Sequence, residues 1–222
     1  MRNLQFAEGE LYHIYNRGVD KRNIFLEIKD LERFFKAMDL SNIDGQIGSL
    51  DRAIARCKHG VFTGGGGDKL VKFIAYCFNP NHFHVILEQV AEKGIEKFMH
   101  KWEMSHSKYI NAKYKRTGAL FQGSFKATHI DSNEYLLHAS AYVNLNNRVH
   151  GYEYGIITKS SWDEYLSDKS IPGLCDKSIV LEQFKGVEKY KQFAESSLKD
   201  TMERKELVKE LEEDSIKLVN IT

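Results

Sequence analysis

His82 and His84 are separated by one residue, Phe83. On a strand, alternate side chains share a face, so the two imidazoles point one way and Phe83 the other. Two imidazoles on one face form a chelating pair for a divalent metal. The plain alternative is two polar residues facing solvent. The setting favours the pair: apolar Val85 and Leu87 follow, and two histidines facing a buried layer without a partner would be costly. Neither Asp nor Cys lies beside them, so a third ligand must come from elsewhere. The run Tyr142-Val-Asn-Leu-Asn146 is a candidate, because residues i and i+4 sit one turn apart on a helix face. Asn146 offers a carbonyl oxygen suited to a hard ion such as Mg²⁺ or Mn²⁺. A phenol at Tyr142, beside a metal-bound phosphate, could act as a covalent nucleophile. The alternatives are core packing for Tyr142 and a helix C-cap for Asn146.

These residues need a strand and a helix to hold them, and the pattern supplies both. Leu11 to Asn16 reads as a strand. Asp30 to Leu40 has Leu31, Phe34, Phe35 and Met38 at helical spacing, with Asp30 as N-cap. Leu70 to Phe78 and His82 to Gln89 form a hairpin about the Asn79-Pro80-Asn81 turn. Ile95 to Lys115 reads as a long helix, and Ala119 to Ile130 as a strand with a kink at Gly123. Asp131 or Ser132 then caps a helix running to about Asn147. The order β-α-β-β-α-β-α is the ferredoxin-like, split-βαβ order with one added helix that carries Tyr142. The expected fold is α+β, an antiparallel sheet of about four strands with helices on one face and a helical C-terminal extension.

Composition narrows the function classes. The 222 residues are 42% hydrophobic and 28% charged, which suits a packed soluble protein. No apolar run approaches the roughly 20 residues that span a bilayer, and residues 1–10 lack the apolar core of a secretory signal. Cys57, Cys77 and Cys175 are too few and too scattered for a disulfide framework or a CxxC metal site. A cytoplasmic protein without membrane attachment is expected. Gly64 to Gly67 are not followed by the Lys and Ser/Thr of a phosphate-binding loop, so they read as a linker. The net charge of +1 hides an asymmetry. Residues 161–222 carry 10 Lys or Arg against 14 Asp or Glu, whereas residues 97–130 hold six Lys and Arg116 against Glu103 alone. Lys113, Lys115, Arg116 and Lys126, interleaved with Tyr114 and Phe125, could hold phosphates and stack bases. The acidic tail could mask that basic segment.

Four runs carry a resemblance: Gly9 to Phe25, Ala75 to Leu87, Gly118 to Ile130 and Tyr135 to Gly151. Together they resemble single-tyrosine HUH transposases, most closely the REP-associated tyrosine transposases, over residues 9–151. The resemblance implies that His82 and His84 are the metal-binding pair, that Asn146 completes the shell of Mg²⁺ or Mn²⁺, and that Tyr142 is the nucleophile. The rival Tyr135 has Ala139 at i+4, which cannot bind metal. Arg17 falls in a stretch that lies near DNA in such proteins. Asn79 departs from the family, which usually has an apolar residue there.

What the resemblance implies is a metal-dependent endonuclease and strand transferase acting on single-stranded DNA beside REP-like hairpins through a 5′-phosphotyrosine. Monomer and homodimer are both open. Residues 1–151 would be the catalytic domain and residues 152–222 a mostly helical acidic extension. The competing classes are a domesticated protein that binds hairpin nucleic acid without cutting, and a phosphoesterase that uses water.

Overall fold

The computed structural model describes residues 4–45, 52–54, 67–152, 156–167 and 173–219, with side chains as far as Arg204. Cys57 and Gly64 to Gly66 lie outside these residues. The strands are β1 (Leu11–Arg17), β2 (Val71–Asn79), β3 (His82–Gln89), β4 (Lys126–Ile130) and the short β5 (Lys159–Ser160). They form one antiparallel sheet in the order β4-β1-β3-β2-β5. The helices are α1 (Ile28–Ser41), α2 (Gly94–Lys113), α3 (Asn133–Asn144), α4 (Asn146–Val149), α5 (Trp162–Leu166), α6 (Ser178–Leu181) and α7 (Val187–Val219). The ferredoxin-like βαββαβ order therefore holds, with a fifth strand of two residues at the β2 edge.

Helices cover both faces of the sheet, not one. Tyr12, Ile14, Phe73, Phe83, Val85 and Leu87 face α1 and α2, where Trp102 stacks on Phe34 at 4.1 Å between ring centroids. Ile74, Ala75, Cys77 and Ile86 face the opposite way, onto Leu136, Ala139 and Val143 of α3. The sequence carried this in Phe73 to Phe78, which is apolar without alternation, as a strand buried on both sides must be.

Residues beyond 151 complete the second face. Trp162, Tyr165, Val180, Leu181, Tyr190 and Ala194 are buried in the same cluster as Ile74 and Ile86. Polar bonds fix the contact: Tyr165 Oη donates to the Ile74 carbonyl at 2.8 Å, and Asn144 Nδ2 donates to Tyr190 Oη at 2.8 Å. Side chains on both sides of residue 151 thus share one core.

Two helix starts differ in detail from expectation. Glu27, not Asp30, occupies the cap of α1. Asp30, three residues on, turns back to accept from the Leu26 and Glu27 amides at 2.9 and 3.1 Å. At α3, Ser132 Oγ accepts from the Tyr135 amide at 3.3 Å, as expected of a cap. The helix does not run on to Asn147: Leu145 leaves helical geometry at φ −109°, ψ 12°, and α4 begins at Asn146. The Asn-rich run gives up regular helix because its side chains take tertiary hydrogen bonds.

His106 of α2 is wholly buried, and its Nε2 bonds to the Ile24 carbonyl at 2.8 Å. Burial holds its pKa down to about 4. The unfolded chain takes up this proton near pH 6.5, so it binds more protons than the folded chain between about pH 6.5 and 4. Stability from this group is present above that window and falls as the pH drops through it, by at most about 1.4 kcal/mol per pH unit. Urea unfolding at pH 7 and pH 5 should show a loss that His106→Gln reduces; equal losses in both proteins would contradict this assignment.

Candidate active site

The ladder register builds one row of side chains across three strands. Arg17 of β1 lies opposite His82 of β3, and His82 lies opposite Asn79 of β2. Two residues along, Tyr15, His84 and Cys77 form a second row on the same face. Cross-strand partners share a face, and this face is the one that α3 covers. The alternation of β3 thus sends His82 and His84 toward α3 while Phe83 enters the opposite core.

Each histidine has a partner for one ring nitrogen. Asn81 Nδ2 donates to the Lys21 carbonyl at 3.1 Å, which sets that amide's orientation and aims Oδ1 at His82 Nδ1, 2.6 Å away. His82 Nδ1 therefore carries a proton, and in the neutral ring the lone pair is on Nε2. That Nε2 lies 3.1 Å from Asn146 Oδ1. His84 Nδ1 lies 2.9 Å from His13 Nε2. Burial holds His13 down to about pKa 4, so it is neutral and its Nε2 can accept from His84. Tyr15 stacks on His84 with ring centroids 5.5 Å apart and 22° between planes.

Tyr142 stands edge-on to His84, 5.6 Å between centroids. Its phenol feels two opposed effects: burial raises the pKa, and the Asn146 amide lowers it, with a net rise above the ordinary value. Asn146 is fully buried, and its Nδ2 makes no hydrogen bond of ordinary geometry. The break after Asn144 leaves Tyr142 at the end of α3 and Asn146 at the start of α4, still on the same side of the chain as His82 and His84.

Two cavities meet this cluster. The first, about 580 Å³, is lined by His82, His84, Tyr15, Arg17, Lys21 and Lys126 among others. It brings the two histidines together with Arg17 and Lys126. Lys113, Lys115 and Arg116 do not line it. Lys113 is committed elsewhere: Nζ bonds to Glu27 and Asp30 carboxylates, each at 2.6 Å, and to Tyr109 Oη at 2.9 Å. These carboxylates take up the charge that the expected phosphate contact of Lys113 would use. The second cavity, about 480 Å³, is lined by His13, Tyr135 and Tyr142, and by Ser197, Asp200 and Arg204 of α7. Tyr142 thus opens toward α7 and does not line the first cavity, whereas His84 does. No described residue beyond Tyr152 lines the first cavity.

Residues 53–146 match the family model of IS200-like transposases. Over this segment the chain is similar to IS200-like transposases. The matched segment contains His82, His84, Tyr142 and Asn146, and lies downstream of β1 with its His13 and Arg17. The chain is also similar to a solved structure of a REP-associated tyrosine transposase bound to a REP hairpin. That similarity has a TM-score of 0.48 and 12% identity, and covers 78% of this chain and 88% of the other. No curated protein sequence matches the chain.

The cluster fits a hard divalent ion on two grounds. Adjacent ligands of an octahedral ion at about 2.1 Å are roughly 3.0 Å apart, close to the 3.1 Å between His82 Nε2 and Asn146 Oδ1. Asn81 and His13 also occupy the outward ring nitrogens, the arrangement that orients metal-ligating histidines. His82, His84 and Asn146 could hold the ion. No group of three or more His, Cys, Asp or Glu side chains that could hold a metal occurs among the described residues, so the set depends on an amide oxygen.

Sequence reasoning missed His13, Asn81 and Lys21, and noted Asn79 only as a departure. His13, Tyr15 and Arg17 alternate along β1, so period two would have put them on one face. Which face, and opposite which strand, follows only from the register.

Proposed function

We propose that this chain cleaves and rejoins single-stranded DNA beside a hairpin through a 5′-phosphotyrosine at Tyr142. The observation that carries the reading is the convergence of His82 Nε2 and Asn146 Oδ1 at 3.1 Å, with the Tyr142 phenol against His84 and the Asn146 amide. His82, His84 and Asn146 would hold Mg²⁺ or Mn²⁺. When bound, the ion would supply Lewis-acid stabilisation of charge on the scissile phosphate and favour the phenolate. Tyr142 Oη attacks the phosphorus and the bond to the 3′ oxygen breaks, giving a phosphotyrosine and a free 3′-OH. Attack by that hydroxyl, or another, reverses the exchange and frees Tyr142. One phosphodiester is traded for another, so no nucleotide cofactor is consumed. The hairpin preference follows from the four matching sequence runs.

Arg17 and Lys126, with Lys21, would hold the DNA backbone in the cavity that His82 and His84 share. Replacing Arg17 or Lys126 with Ala should weaken single-strand binding and flatten the slope of log K against log salt by roughly 0.7 each. Lys113→Ala should leave that slope alone and instead cost about 1 to 3 kcal/mol of stability, because buried Asp30 loses a charged partner. A flattened slope for Lys113→Ala and none for Arg17→Ala would reverse the assignment.

The test of function is a denaturing gel of the protein incubated with labelled single-stranded hairpin DNA and Mn²⁺. A covalent protein–DNA band supports strand transfer through tyrosine. Free fragments without a covalent band would mean hydrolysis by water. A shift seen only on native gels would mean a binding protein that does not cut.

A further inference from the structure

Asn79 is fully buried on the face where His82 and Asn146 meet. Its Nδ2 lies 2.7 Å from Asn146 Oδ1 and 3.0 Å from His82 Nε2, and those two atoms are 3.1 Å apart. With the Asn81 amide holding a proton on Nδ1, Nε2 of the neutral ring and Asn146 Oδ1 are both acceptors and cannot bond to each other. The Asn79 NH₂ group supplies the two hydrogens that both need. It satisfies, in neutral form, the electron pairs that a cation would otherwise take.

The three atoms form a triangle with edges of 2.7, 3.0 and 3.1 Å. An octahedral ion with ligands at about 2.1 Å has triangular faces with edges of roughly 3.0 Å. The triangle therefore has the size of one such face, with Asn79 at its third corner. An NH₂ group cannot ligate a cation, but the amide oxygen can once the group turns over about its last side-chain bond. The other end of the amide tolerates the turn. Asn79 Oδ1 faces the Cys77 thiol at 3.8 Å, and a thiol is both a weak donor and a weak acceptor. Either amide orientation leaves that contact satisfied.

We infer that Asn79 is an additional ligand of the divalent ion, its amide donating to His82 and Asn146 as the structure shows and presenting Oδ1 when the ion binds. The inference rests on the metal reading of His82, His84 and Asn146. It gives this chain two amide-oxygen ligands, at a position where an apolar residue could serve neither role.

Mn²⁺ binding to the full chain without DNA, followed by the EPR signal of free Mn²⁺, separates the two readings. The unmodified protein should bind Mn²⁺ and His82→Ala should not. Asn79→Leu, close in volume and unable to ligate, should bind roughly tenfold more weakly. Asn79→Asp, which restores an oxygen, should bind at least as tightly as the unmodified chain. Binding by Asn79→Leu equal to or tighter than that of the unmodified protein would overturn the inference alone, because Asn79 would then only compete with the ion. If Asn79→Leu does not fold by circular dichroism, Asn79→Asp decides: a tenfold loss there overturns the inference. No Mn²⁺ binding by the unmodified chain would overturn the metal reading, and this inference with it.

Discussion

His82→Ala should lower Mn²⁺-dependent cleavage of single-stranded hairpin DNA by roughly a hundred- to a thousandfold, the usual scale for losing a group that stabilises transition-state charge. His82 Nε2 is the one ring nitrogen whose lone pair is aimed, by the Asn81 bond to Nδ1, at Asn146 Oδ1. Removing it takes away a corner of the candidate ligand set while leaving the Phe83 and Val85 side of β3 in place. DNA affinity should fall by less than about threefold, since phosphate contacts carry most of it and Arg17 and Lys126 remain. Unchanged cleavage by His82→Ala would mean that the ion, if any, sits elsewhere.

A truncation after Ser160 should destroy the fold. It removes Trp162, Tyr165, Val180, Leu181, Tyr190 and Ala194 from the core and bares Ile74, Cys77 and Ile86 on the sheet. At about 1.5 to 3 kcal/mol for each large buried side chain, the loss is on the order of 10 kcal/mol, comparable with the whole stability of a typical domain. It also strips the Tyr165 bond from the Ile74 carbonyl and the Ser161 bonds from Tyr76. A truncation after Arg204 removes none of these and should fold. Thermal unfolding by circular dichroism distinguishes them; a cooperative transition in the shorter protein, near that of the full chain, would show that residues 161–219 are dispensable for the core.

The order of the elements along the chain and the two long helices were legible because each rests on a local signal, and the choice of the four chemical candidates rests on local signals too. The His82–His84 spacing, the Tyr142–Asn146 spacing and the Ser132 cap are all readable within five residues. What the sequence could not give depends on register or on packing between distant segments. His13 meets His84 only because β1 pairs with β3 so that Tyr15 lies opposite His84. Lys113 looked like part of a basic patch, yet Glu27 and Asp30, more than eighty residues earlier, neutralise it. Charge and helix-forming composition marked the tail only as an acidic helical extension, whereas Tyr165 and Tyr190 bury their rings and bond through their hydroxyls to β2 and α3. Net charge and periodicity do not report such pairings.

The second cavity makes the choice of nucleophile testable, because Tyr135 and Tyr142 both line it. Only Tyr142 stands against His84 and the Asn146 amide. The decisive measurement is the covalent protein–DNA band on a denaturing gel, with labelled single-stranded hairpin DNA and Mn²⁺, compared for the unmodified chain, Tyr142→Phe and Tyr135→Phe. The band should be present in the unmodified chain and in Tyr135→Phe and absent in Tyr142→Phe, whose DNA affinity and melting temperature should stay close to those of the unmodified chain. A covalent band that persists in Tyr142→Phe would contradict the assignment of Tyr142 and with it the proposed strand-transfer mechanism.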